Sequence, residues 1–106
     1  MQPSVNLFAL SALLAQDQEA GRLSTRHLQM LALLCASDRP LRIGEIGLRL
    51  GLDAPATSRS VYRLAELGLA ELDRSDEDRR IWFATPSKEG LALDARVRAH
   101  IETCRA

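Results

Sequence analysis

Two short runs carry the side chains able to grip a polyanion: Ser58, Arg59, Tyr62 and Arg63 in one, Arg79 and Arg80 in the other. A guanidinium presents its N–H donors as a rigid, permanently charged fork that matches paired acceptors, and hydroxyls add single donors beside it. At about 100° per residue, Thr57, Val61, Leu64 and Gly68 share one side of a helix, with Ser60 and Leu67 flanking it. Pro55, Arg59, Tyr62 and Glu66 fall opposite, with Ser58 and Arg63 at the edges. Such an outer face suits the major groove of duplex DNA, where arginine can donate twice to guanine O6 and N7. Periodicity alone fits a solvated surface helix equally well.

The elements that must position these residues can be read on either side. A first helix is expected over Ile43–Leu50, with Ile43, Ile46 and Leu50 on one face. Gly51 stops it, Leu52 plugs the turn, Asp53 caps a second helix over Ala54–Leu67, and Pro55 fits that helix's first turn. Gly68 ends the second helix. Leu69–Asp73 and Arg79–Ala84 then read as two strands, the second holding the β-favouring run Ile81, Trp82, Phe83. The polar tip between them brings Arg79 and Arg80 to where a hairpin can enter a narrow minor groove; a solvated surface hairpin is the alternative. Leu41 can add a brief third strand. Helix, turn, helix and hairpin in this order make a winged helix-turn-helix, a mainly α fold with a small antiparallel β wing.

The flanks read as scaffold. After a free end over Met1–Ser4, a helix is expected from Asn6 to Asp17, with Leu7, Leu10 and Leu14 on one stripe and Phe8 widening it. So much apolar surface on a terminal helix calls for a cover, either its own domain or a partner. Gln16–Gly21 is a polar link. Ser24 or Thr25 caps a helix to Ala36 that is apolar nearly all round, with Leu28, Leu31, Ala32 and Cys35 as its main face. Thr85 and Pro86 are expected to open the last helix. There Leu93, Val97, Ile101 and Cys104 form a narrow stripe suited to a helix–helix seam, with Leu91 at its start.

At 106 residues, 46% of them apolar, the chain has room for one domain (1–106) and one core. Within it, 5–36 would hold the core and dimerisation helices, 41–85 the helix-turn-helix and wing, and 86–105 a C-terminal dimerisation helix. Fourteen basic residues balance fourteen acidic ones, so net charge does not favour a polyanionic partner and any attraction must be local. The tip sets Asp73, Asp76, Glu77 and Asp78 against Arg74, Arg79 and Arg80, which weakens its pull on phosphate. Cys35 and Cys104 sit in apolar patterns and read as buried thiols of a reducing cytoplasm; a redox switch is the lesser alternative. The run Val5–Ala15 is too short to span a membrane and lacks the positive start of a secretory signal. No zinc-protease, nucleophile-elbow or P-loop motif occurs and the cysteines lack metal spacing, so neither an enzyme nor a metal or cofactor is expected. His27 reads as a partly exposed helix residue. The GEIG at 44–47 matches the GXXG spacing of RNA-binding KH loops, but Glu45 gives it the wrong charge.

The segment 28–93 resembles the DNA-binding half of the MarR family of bacterial transcription regulators. The likeness rests on Glu45, Ile46, Arg49, Leu50, Gly51 and Leu52 in the first helix and turn, and on Arg59, Arg63, Leu64, Gly68 and Leu69 in and after the second. Asp76, Asp78, Arg79 and Arg80 in the wing, then Thr85, Pro86, Glu89 and Gly90, complete it. The resemblance implies that Arg59 contacts DNA from the recognition helix, that Arg79 and Arg80 act from the wing, and that Asp78 orients one of them through a salt bridge. It also implies a homodimer, here through Leu7, Leu10, Leu14, Leu93, Val97 and Ile101. Pro55 and Ala56 depart from the polar residues the family usually carries there. Members usually continue with a longer last helix and a further one, so a reduced dimer interface is expected and a small-molecule effector is not. The implied activity is binding to double-stranded DNA as a repressor; a winged helix used for protein contact is the alternative.

Overall fold

The computed structural model describes residues 7–105. Its organising helix is α2 (Thr25–Ala36), started by Ser24, whose hydroxyl accepts the His27 N–H. The apolar character of α2 on several sides lets it pack against more than one element at once. Met30, Leu31 and Leu34 are fully buried while Ala32 is exposed, so the main face lies one residue away from the one periodicity marks out.

The helix-turn-helix forms as the capping signals dictate. Helix α3 (Ile43–Leu50) ends at Gly51, whose φ of 70° is left-handed. Asp53 then caps α4 (Ala54–Glu66) by accepting the Ala56 N–H at 2.8 Å. Val61 and Leu64 on α4, Ile46 on α3 and the α2 residues form one core with Leu41, Leu69, Ala84 and Leu93. Gly47 sits so close to Thr57 that a Cβ there would meet its hydroxyl at 2.6 Å. The glycine on α3 is therefore what lets the two helices approach.

The sheet has three antiparallel strands: β1 (Leu41–Arg42), β2 (Ala70–Arg74) and β3 (Trp82–Pro86), in the order β1-β3-β2. Ala84 lies opposite both Leu41 and Leu72. The hairpin strands begin and end later than the sequence suggests. Ser75 N–H bonds to the Ile81 carbonyl, and the Ser75 hydroxyl accepts the N–H groups of Glu77 and Asp78. These bonds close a loop over 75–81, so Arg79 and Arg80 belong to the tip and not to a strand.

Thr85 does not cap the last helix: it is paired with Glu71 inside the sheet, and Pro86 still lies opposite Ala70. Proline is tolerated there because β1 spans only two residues and asks for no N–H at that point. The cap is Ser87, which accepts the Gly90 N–H at 3.0 Å and donates to the Gly68 carbonyl at 2.6 Å, locking α5 (Lys88–Thr103) onto the end of α4.

Helix α1 (Leu7–Gln16) buries no residue completely; the free end and the Asn6 start expected before it lie outside the described residues. Leu14 on α1 and Val97 on α5 pack against the core. The link after α1 is ordered by Asp17, which accepts the N–H groups of Glu19 and Ala20 and takes Arg96 from α5 at 3.0 Å. That guanidinium holds the Asp17 carboxyl down at about 2. Leu93 is wholly buried, and Leu91 is exposed, so the α5 stripe begins inside the domain. A side chain with no exposed area has none to give a second copy, which removes Leu93 from any dimer seam.

Two stability tests follow from this packing. A Cβ at Gly90 would collide with the backbone carbonyl of Leu69 and press on Leu31, so Gly90→Ala should lose about 1–3 kcal/mol or more in urea unfolding. The lowered Asp17 pKa means its ion pair supports the fold above the ordinary carboxylate range and is lost as pH falls from about 4 through about 2. Arg96→Met should therefore flatten the fall in stability over that window; an unchanged slope would show that the pair is not coupled to folding.

Candidate nucleic-acid interface

Helix α4 turns the side chains singled out above away from the core. Pro55, Arg59, Tyr62 and Arg63 are exposed and Ser58 is half-buried at the margin. Arg59 makes no ion pair or hydrogen bond among the described residues. Arg63 stands 3.7 Å from Glu66, a loose surface pair of the kind worth little to stability.

The wing arrives beside that face because of strand parity. Side chains alternate across a sheet, so with Ala84 buried against the helices, Trp82 points to the same side and Phe83 to the other. Trp82 thereby forms, with Ile81 from the end of the tip loop, one wall of an open cleft of about 540 Å³. Ser58 and Tyr62 of α4, Ile43, Gly44, Glu45 and Leu48 of α3, Arg42 and Arg80 make up the rest of its lining. Arg74 lies over the Trp82 ring at 4.5 Å, a cation–π contact that stiffens this wall.

At the tip, Asp78 grips Arg80 through Nε at 3.1 Å and Nη2 at 3.0 Å while also accepting the Arg80 backbone N–H. Of the two tip arginines it is thus Arg80 that Asp78 holds. The Arg80 guanidinium in turn keeps the Asp78 carboxyl below its usual range. Arg80 remains 90% exposed in its side chain, so the pair sets its direction without covering it. Arg79 is exposed and has no partner among the described residues.

Glu45 is the cleft's own carboxylate. Arg39 binds it with both nitrogens, at 3.1 and 2.6 Å, and Arg49 approaches at 3.3 Å. Two guanidiniums around one carboxylate leave this corner with positive charge to spare.

Arg42, Leu48, Ile81 and Trp82 were not among the residues singled out from the sequence. For Leu48 a signal existed: it lies off the Ile43–Ile46–Leu50 face, and it is 86% exposed. Arg42 and Trp82 had none: strand register turns Trp82 to the cleft, whereas Arg42, paired with Phe83 and lying over its ring at 6.0 Å, borders the cleft only as the residue that leads into α3. The seam residues scatter. Leu7 is exposed, Leu10 and Ile101 are half-buried, and Leu14 and Val97 pack on the core. Of the two free thiols, Cys104 is buried, and burial, with Asp94 nearby, pushes Cys35 up to about 11. Among the described residues no cluster of three or more metal-ligating side chains occurs, and no helix is long and apolar enough to cross a membrane.

The sequence model of the MarR family matches residues 23–81, more than half of the chain and all of the helix-turn-helix. The chain belongs to the MarR family. Its fold agrees with solved relatives: S. aureus MepR bound to DNA superposes with a TM-score of 0.80 at 15% identity, covering 92% of this chain and 77% of that one. Streptococcus pneumoniae FabT in complex with DNA gives 0.77 at 14%, covering 92% and 68%. RV1404 from Mycobacterium tuberculosis gives 0.77 at 28%, covering 92% and 65%. This MarR-family chain thus spans only about two thirds of the length of the last two. No curated protein sequence matches it.

Proposed function

We propose that this MarR-family protein is a sequence-specific transcription regulator that binds double-stranded DNA, with α4 in the major groove and the wing tip in the flanking minor groove. One observation carries the reading: Ser58 and Tyr62 of α4 and Arg80 of the wing line a single cleft, with Arg42 beside them. A phosphate strand running from one groove to the next would cross that cleft. Arg59 and Arg79, free of partners among the described residues, can reach bases and minor groove without breaking an ion pair first. The solved DNA complexes of FabT and MepR share this fold, which supports the assignment.

The finer proposal is a cytoplasmic homodimer on a palindromic operator, with half-sites about 10–10.5 base pairs apart and repression by exclusion of polymerase. Exposed Leu7 and Phe8 on α1, with half-buried Leu10 and Ile101, offer apolar surface for the two-fold contact. No cofactor and no small-molecule effector enter this scheme. One observation favours a second reading, a module for protein contact: the tip carboxylates already neutralise part of the wing, as Asp78 does for Arg80.

Salt separates the two. A DNA complex should weaken steeply with rising salt, the logarithmic slope approaching one per phosphate contact, whereas a protein-binding module should show no duplex affinity. Arg59→Ala should cost about 1–3 kcal/mol and relax preference at one base position. Arg80→Ala should lower affinity for all duplexes alike; intact operator affinity in Arg59→Ala would remove α4 from the groove. For the dimer, Ile101→Asp should give monomers in sedimentation, and an unchanged mass would exclude α5 from the seam.

A further inference from the structure

The first turn of α4 offers a nucleic acid fewer free N–H donors than a helix N-terminus normally does. Pro55 has no N–H, the Ala56 N–H is taken by the Asp53 carboxylate at 2.8 Å, and the Thr57 N–H bonds to the Asp53 carbonyl at 3.0 Å. The Asp53 carboxylate also places negative charge there, which disfavours a phosphate. What the turn does present is apolar. Between it and α3 lies a second cleft, of about 260 Å³, with Gly44, Gly47, Leu48, Leu52 and Ala54 in its lining. Leu48 is 86% exposed, and no other atom comes within 4 Å of the place a Gly44 Cβ would occupy. Two hydroxyls line it: that of Thr57 donates to the Asp53 carbonyl at 2.7 Å, and that of Ser58 has no hydrogen-bond partner among the described residues. Arg59 follows directly on the exposed side.

In the major groove thymine alone pairs an apolar C5-methyl with an adjacent acceptor, O4. We infer that the cleft between α3 and the first turn of α4 reads thymine: the methyl group seats against Leu48 and Ala54 while the Ser58 hydroxyl donates to O4. This rests on the DNA-binding proposal and adds to it the base class read beside the Arg59 contact. A cytosine at the same step would leave the apolar walls without a partner. Ser58 can turn its hydroxyl to accept from the cytosine amine, so the methyl, not the hydrogen bond, carries the discrimination.

Selection from randomised duplexes should return half-sites with thymine next to the guanine that Arg59 reads. The decisive comparison uses that operator with each half-site thymine replaced in turn by deoxyuridine, which removes the methyl and nothing else. One position should weaken binding about fourfold per methyl removed, and the Leu48→Ala variant should bring the thymine-to-deoxyuridine ratio there close to one. Equal binding of both duplexes, with a steep salt dependence retained, would overturn the thymine assignment and leave the DNA-binding reading standing. So would a Leu48→Ala ratio equal to that of the native protein. Binding of neither duplex at low salt would overturn both.

Discussion

The burial of Ala84 between Leu41 and Leu72 is the constraint on which the site depends. It fixes the register of β3 against both neighbours and decides which way every wing side chain points. A slip by one residue would turn Phe83 toward the helices and Trp82 away. The cleft wall would be lost, and Arg80 would leave α4. The wing is therefore not an appendage with a charged end but a lever whose fulcrum lies in the core. Ser87 anchors its base by bonding at once to the end of α4 and the start of α5.

Charge is arranged by the same logic. The molecule has no net charge, yet the carboxylates nearest the cleft are occupied: Asp78 with Arg80, Glu45 with Arg39 and Arg49. Exposed pairs of this kind add little stability; their consequence is direction, because a held guanidinium loses less freedom when it meets a ligand. Arg59 and Arg79 are the complementary case, unpaired among the described residues and able to adapt. The carboxylate of Asp17, only 11% exposed, lies far along the chain from this surface and ties the two flanking helices together.

Those helices show how one apolar stripe divides its labour. On α5, Leu93 belongs wholly to the core, Val97 packs against it, Ile101 is half-buried and Cys104 is buried again. On α1 there is a gradient along the chain, from exposed Leu7 and Phe8 to Leu14 packed against the core. Apolar surface available to a partner is thus greatest at the start of α1.

Local chemistry was enough to read the helix-turn-helix: the Gly51 stop, the Asp53 cap, and the division of α4 into a Val61–Leu64 side and an Arg59–Tyr62 side each depend on residues within a few positions of one another. The outward set Pro55, Ser58, Arg59, Tyr62, Arg63 was legible for that reason. The strand limits, the shift of the cap from Thr85 to Ser87, the removal of Leu93 from the surface and the placing of Arg42 and Trp82 around the cleft were not. Each turns on contacts between segments distant in sequence, where pairing register and competition for burial outweigh the preference of any single residue. Residue types and helical phase chose the groups that could meet a duplex. Only the packed sheet and core decided which of them stand together, because proximity across the chain is a property of tertiary contacts and not of spacing along it.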